Sequence, residues 1–257
     1  MKHIFIINPT AGKQDSRQRI YDMAKELREK HELDVQCILT KKQGHATEIA
    51  RKLCEEGGEL RFYACGGDGT ANEVANGILG FDNAAMTMVP VGTGNDLLKN
   101  FGDNLEKFRD VENLWDGPVF PMDVIEVNGR YALTIACSGI DARVAADVHK
   151  YSESPLLDGK SSYIVSLLVN FFFKGIGSHW KVEMDGEEME GDWSLVSVCN
   201  GRYYGGGFMP VAEARMDDGV LNTLVVQKVT RRAFIRFVGP YSKGEYYKFP
   251  HLAQCYT

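Results

Sequence analysis

The 257-residue sequence lacks the marks of several large functional classes. Its six cysteines (Cys37, Cys54, Cys65, Cys137, Cys199 and Cys255) contain no Cys-x-x-Cys pair, and several sit in apolar runs. They read as small core residues of a reducing compartment rather than disulfides or a zinc site. The most apolar stretch, SSYIVSLLVNFFFKG (161–175), falls short of the ~20 residues that cross a bilayer, so no transmembrane segment is expected. The opening MKHIFIINP is too short for a signal peptide and reads as a first strand. Positive charge is in deficit: 29 Lys and Arg face 35 Asp and Glu, a net charge of −6, and no global basic field would recruit nucleic acid. A polyanion would have to be held locally, by backbone amides, a metal or a few cations. Also absent are a G-x-x-x-x-G-K-[ST] loop, a G-x-G-x-x-G after the first strand, a G-x-S-x-G elbow and an H-E-x-x-H pair. A hydrophobic content of 44% in a chain of this length serves one large core or two modest ones. The expectation is a cytoplasmic protein.

What is present is alternation. Over the first hundred residues strand patterns (HIFII, LDVQCIL, RFYAC, MTMVP) alternate with helical ones (15–30, 45–57, ANEVANGIL and a short helix around DLLKNF). This implies a doubly wound, mainly parallel α/β sheet. DGPVFP (116–121) marks a boundary, giving an α/β domain over 1–120 and a β-rich domain over 121–257. The second domain opens with an Asn128-Gly129 hairpin and carries two helix candidates, within 161–174 and 231–243.

Three strands of the first domain end in polar, glycine-bearing turns: NPTAGK (8–13), GGDGT (66–70) and GTGND (92–96). In a doubly wound sheet such loops face one crevice. Glycine lets a ligand approach the main chain, and successive amides at a helix amino end suit phosphate. Thr70 and Glu73 fit a capping box, which starts a helix directly after GGDG. A carboxylate at Asp68 would repel phosphate unless a divalent cation or a proton intervenes. Magnesium resolves the conflict, with Asp96 helping through water.

These residues resemble the diacylglycerol kinase catalytic family of lipid kinases. The likeness rests on NPTAG (8–12), GGDGTANEVANGI (66–78) and PVGTGNDL (90–97). It extends through MDVIEV (122–127), SGIDARV (138–144), NGRYYGGGFMPVAEARMDDGVL (200–221) and YSKGEYYKFP (241–250). GGDGT alone also occurs in NAD kinases and related phosphofructokinases. The resemblance implies an α/β domain followed by a β-sandwich-like domain, with the active site in the cleft between them. It implies transfer of the ATP γ-phosphoryl group to a lipid hydroxyl at a membrane surface, the enzyme associating transiently with its inner face. Asn8, Pro9, Gly12, Thr40, Gly66, Gly67, Gly69, Thr70, Glu73, Gly92, Thr93, Gly94 and Asn95 would hold ATP. Asp68 would be the catalytic residue and, with Asp96 and Asp123, part of an acidic, water-bridged Mg2+ network; Asp218 would hold a second, structural Mg2+.

Members of that family carry an Asp-x-Glu element nearer the C-terminus as the base for the lipid hydroxyl. This sequence ends at HLAQCYT before such an element, and Asp185-Gly186-Glu187 aligns with an early hairpin and does not take the role. Three explanations stay open: a truncated chain, a base from elsewhere, or weak catalysis. An NAD kinase and a nucleotide-binding regulator without the catalytic element are the rival readings; oligomeric state is left open, a homodimer included. His45 reads as a helix-start residue, Trp180 and Trp193 as core, and YIVSLLVNFFF (163–173) as a buried helix rather than an acyl-chain wall. KVTRRAFIRF (228–237) reads as a solvated helix face with a transient attraction to anionic bilayers.

Overall fold

The computed structural model describes residues 1–12, 14–92, 94–102, 105–152, 165–171 and 175–257, the side chains of 149–152 excepted. Two compact units emerge: Met1–Pro121 with Asn128–Tyr131, and Met122–Val127 with Ala132–Thr257.

In the first unit, strands β1 (Lys2–Ile7), β2 (Asp34–Leu39), β3 (Leu60–Gly66) and β4 (Ala84–Pro90) form a parallel sheet in the order β2-β1-β3-β4. Every residue of β3 is buried, as expected of a strand covered on both faces. Helix α1 (Arg17–His31) buries Ile20, Ala24 and Leu27 against Phe5, Ile7 and Tyr63. Helices α2 (His45–Glu56) and α3 (Asp68–Ile78) pack side by side because small residues meet between them. A Cβ on Gly77 would lie 2.6 Å from the Ala50 Cβ and 2.8 Å from the Thr47 carbonyl oxygen. Gly57, at φ +87°, ends α2. The four-residue helix α4 (Asp96–Lys99) follows β4.

The second unit is built on antiparallel strands. β7 (Ile135–Gly139), β8 (Ser178–Met184), β9 (Glu187–Cys199), β10 (Asn222–Gln227) and β11 (Ala253–Tyr256) form a five-stranded sheet in which β9 is central. β10 runs along one edge of β9, while β8 and then β7 share the other, end to end. β5 (Ile125–Val127) and β6 (Arg130–Ala132) make the expected hairpin as a two-stranded sheet of their own, although Asn128–Tyr131 group with the first unit rather than the second; Asn128 and Gly129 both take positive φ, as a type I′ turn requires.

Helix α5 (Ile140–Ser152), which the sequence reading did not identify, buries Ile140 and Val144 in the core of this unit. Helix α6 (165–171) turns polar groups inward: the Ser166 hydroxyl donates to the Val144 carbonyl at 2.8 Å, and Asn170 Nδ2 to Asp147 at 3.0 Å. The rest of the 163–173 run lies outside the described residues. Helix α7 (Arg231–Tyr241) completes the core with Phe234, Phe237 and Tyr241.

Candidate functional site

The carboxyl ends of all four parallel strands open onto one cavity of ≈600 Å³. Asn8, Pro9 and Gly12 line it from the turn after β1, and Gly67, Asp68, Gly69, Thr70 and Glu73 from the turn and helix after β3. Gly92 and Gly94 come from the turn after β4, and Thr40 from the end of β2. Thr93 lies outside the described residues.

Hydrogen bonds tie the turns together. Asn8 Nδ2 donates to Thr70 Oγ1 at 3.1 Å, while Asn8 Oδ1 accepts the Thr10 amide at 3.1 Å and its hydroxyl at 2.9 Å. Gly66 takes part through its backbone: its carbonyl accepts the amides of Val91 and Gly92, both at 3.1 Å. Two glycines are required by space. Gly12 has φ +82°, and a Cβ there would run into the Val91 carbonyl oxygen; a Cβ on Gly92 would stand 2.5 Å from the Gly67 Cα. With no room for a side chain between them, the second and third turns present bare main chain to the cavity.

Helix α3 begins at Asp68 with Gly67 as its N-cap, and no side chain caps it. Its first amides therefore have no partner within the helix and, with the helix dipole, suit an anion. The capping-box reading of Thr70 and Glu73 is corrected here. The Glu73 carboxylate instead accepts the Ala46 amide at 3.2 Å, in the first turn of α2, and the Thr47 hydroxyl donates to the Glu73 carbonyl at 2.7 Å. Thr70 already lies inside α3, where Asn8 donates to its hydroxyl. Sequence spacing cannot distinguish a carboxylate that reaches back along its own helix from one that reaches to the neighbouring helix.

Asp68 divides its two oxygens. Oδ1 accepts the Leu97 amide at 2.8 Å at the start of α4; Oδ2 faces Gly94, 3.1 Å from where a Cβ would sit. The nearest Asp96 oxygen is 3.9 Å from the same point. Burial raises the Asp68 carboxyl above its ordinary value; the Leu97 amide pulls it back and the Asp96 carboxylate pushes it further up. Asp96 is buried and pairs with Lys99 at 2.5 Å. Asn95 adopts the left-handed conformation (φ +52°) and donates to the Gly92 carbonyl at 2.9 Å, closing the third turn.

The sequence reading passed over a fourth turn. Lys41, Lys42 and Gln43, between β2 and α2, also line the cavity. Lys42 pairs with Glu48 at 3.2 Å, and the Lys41 amide donates to His45 Nδ1 at 3.1 Å, so His45 shapes this turn from the start of α2. The available signal was KKQGH itself, a polar, glycine-bearing stretch at a strand end like the other three.

Asp123 and Asp218 belong to the second unit. Asp123 Oδ2 accepts the Gly219 amide at 2.7 Å, its own amide donates to the Met216 carbonyl at 2.8 Å, and Asp218 Oδ1 accepts the Val220 amide at 3.1 Å. Both carboxylates shape the loop 216–220. Among the described residues no group of three or more His, Cys, Asp or Glu is placed to hold a metal ion on its own. A second cavity of ≈660 Å³ lies in this unit between β7, β8 and α5, walled by Trp180, Val182, Val196 and Ala142 with Arg143 and Lys181.

The family model of the diacylglycerol kinase catalytic domain matches residues 2–127, and that of the YegS C-terminal NAD kinase beta sandwich-like domain matches 134–256. The chain belongs to the diacylglycerol kinase catalytic-domain family. It is similar to the diacylglycerol kinase of Bacillus subtilis, with 26% identity over 256 residues, 96% of this chain and 80% of that one. The diacylglycerol kinase of Staphylococcus carnosus is 26% identical over 248 residues, 96% and 79% of the two chains. A crystal structure of a diacylglycerol kinase from Bacillus anthracis superposes with a TM-score of 0.72 at 26% identity, covering 99% of this chain and 83% of the other. In this kinase family member the first matched domain carries the four-turn cavity. Among the described residues no helix is long and apolar enough to cross a membrane.

Proposed function

We propose that the chain is an ATP- and magnesium-dependent kinase that transfers the γ-phosphoryl group to a diacylglycerol-like lipid hydroxyl at the cytoplasmic face of a membrane. The observation that carries this reading is the convergence of the glycine turns, the uncapped amino end of α3 and Asp68 on one cavity. Phosphoryl transfer asks a protein mainly for positioning and charge neutralisation, which backbone amides and a few fixed charges supply. Asn8, Thr40, Lys41 and the amides around Gly67 and Gly92 are the groups that would hold ATP.

The donor set fits magnesium. Asp68 and Asp96 both turn an oxygen toward Gly94, and the Asp96 carboxylate disfavours the charge of Asp68. Magnesium is held by one or two carboxylates together with water and phosphate oxygens, so a cage of three protein ligands is not needed. When bound, it would neutralise charge developing on the phosphoryl oxygens. Asp68 orients through Oδ1 and offers Oδ2; Asp123 and Asp218 would hold the 216–220 loop in the lipid-receiving unit. The cavity beside Trp180 and Val196 offers apolar wall to a lipid, with Arg143 and Lys181 for an anionic group.

The test is incubation with radiolabelled ATP and a total lipid extract, with NAD in a parallel reaction. Label in a lipid product, lost in Asp68→Asn, is expected. Label in the NAD reaction alone would replace this reading with an NAD kinase. Saturable ATP binding with label in neither would leave a nucleotide-binding regulator.

A further inference from the structure

Asp68 and Asp96 are held in the same way. Each gives one oxygen to the protein and turns the other to a shared point. Asp68 Oδ1 accepts the Leu97 amide at 2.8 Å, and Asp96 Oδ1 accepts Lys99 Nζ at 2.5 Å. Both Oδ2 atoms come within 4 Å of the place that a Cβ on Gly94 would occupy. The two holding groups differ in one respect. A backbone amide orients a carboxylate and leaves its charge whole, whereas a lysine orients it and offsets the charge.

Asp96 and Lys99 stand three residues apart on α4, the spacing that lays two side chains on one helix face. A solvent-exposed pair of this kind is worth little. This pair faces inward: the Asp96 side chain is 7% exposed and that of Lys99 26%. Two carboxylates that share a point, one of them closed off from water, repel each other and any phosphate that enters. Burial raises the Asp68 carboxyl, and the Lys99 charge is among the groups that draw it back, so the lysine acts on both acids.

We propose that Lys99 is a positioning residue and the resident counter-ion of this acid pair, fixing Asp96 and lowering the negative charge beside Gly94 so that a polyphosphate is admitted. The same charge weakens the pair's hold on a divalent cation. The proposal rests on the magnesium reading of Asp68 and Asp96, and it adds a residue that acts through Asp96 rather than on the reacting atoms.

Two binding measurements test it without turnover: Mn2+ in the absence of nucleotide, by loss of the free-ion paramagnetic signal, and ATP in the presence of EDTA, by calorimetry. Lys99→Gln keeps a side-chain donor for Asp96 and removes the charge; Lys99→Arg keeps both. Lys99→Gln should bind Mn2+ roughly tenfold more tightly, the size expected of one charge acting over several ångströms near a protein surface. It should bind metal-free ATP several-fold more weakly, and Lys99→Arg should match wild type in both assays. A loosened fold would weaken both ligands together, so the opposite signs separate charge from structure. Affinities that both fall, or a Lys99→Gln variant that binds both ligands as wild type does, would overturn the proposal and leave the magnesium reading in place. A wild type that takes up no Mn2+ would remove the magnesium reading and the role of Lys99 with it.

Discussion

Asp68 Oδ1 accepts the Leu97 amide at 2.8 Å, so the start of α4 fixes the direction in which the second carboxylate oxygen faces Gly94. The bond is structural; in the proposed reaction Oδ2 would be the oxygen that meets the metal or the substrate. Asp68→Asn keeps an acceptor for Leu97 and removes the charge. Unfolding stability should stay within about 0.5 kcal/mol of wild type, while phosphoryl transfer falls at least about a hundredfold. Asp68→Ala should lose the same activity and, in addition, about 1 kcal/mol of stability as the α4 amide loses its partner. Steady-state kinetics beside thermal melts separate the two variants; equal activity of Asn and wild type would remove Asp68 from the chemistry.

Gly92 and Gly69 make a contrasting pair. Alanine at 92 drives a Cβ to 2.5 Å from the Gly67 main chain, which must shift, so Gly92→Ala should cost about 1–3 kcal/mol and weaken ATP binding. Around Gly69 nothing lies within 4 Å of a Cβ. Gly69→Ala should therefore melt like wild type and still bind ATP less tightly, because its methyl enters the cavity. Calorimetric titration with ATP alongside the melts reads both effects.

Glu73 links α3 to the amino end of α2. Glu73→Ala should lower stability by about 1 kcal/mol, as expected for a lost helix-end acceptor, and Glu73→Gln should restore most of it. Urea unfolding of the three proteins decides the matter. If alanine and glutamine cost the same, the carboxylate's bond to Ala46 contributes nothing.

Asp141, near the start of α5, receives the hydroxyls of Tyr204 and Tyr241, each at 2.6 Å, and is buried with them. Burial raises its carboxyl above the ordinary range, and the two phenols oppose that rise only in part. A group raised in the folded state stabilises fully in acid. As pH climbs from the ordinary carboxylate range through the raised folded value, the unfolded chain releases its proton first and stability falls. Asp141→Asn cannot titrate, so any advantage of wild type over it should be largest in acid and shrink across that window. Urea midpoints of both proteins over a pH series report this directly; a pH-independent difference would contradict it.

Much of the first unit was legible because its signals are local. β3 is apolar throughout, Ile20, Ala24 and Leu27 mark one face of α1, and each glycine turn lies at a strand end. What escaped depends on contacts between elements. Glu73 looked like a cap for its own helix and serves the neighbouring one. Lys41 and Lys42 carried no glycine doublet to draw notice, yet β2 lies beside β1 and delivers them to the same cavity. Helix α5 was missed although Ile140, Val144 and Val148 recur at intervals of four, because the motif SGIDARV was read for its likeness rather than its period. Asp123 and Asp218 could be named as acids, but only the fold shows that their carboxylates brace one loop.

The central claim is that four neighbouring strand ends grip a polyphosphate through their main chain. Amide chemical shifts followed during titration with ATP and magnesium test it most directly. Saturable changes concentrated at residues 8–12, 40–46, 66–70 and 92–96 are the predicted result. Saturable changes centred elsewhere, or none at millimolar ATP, would contradict it.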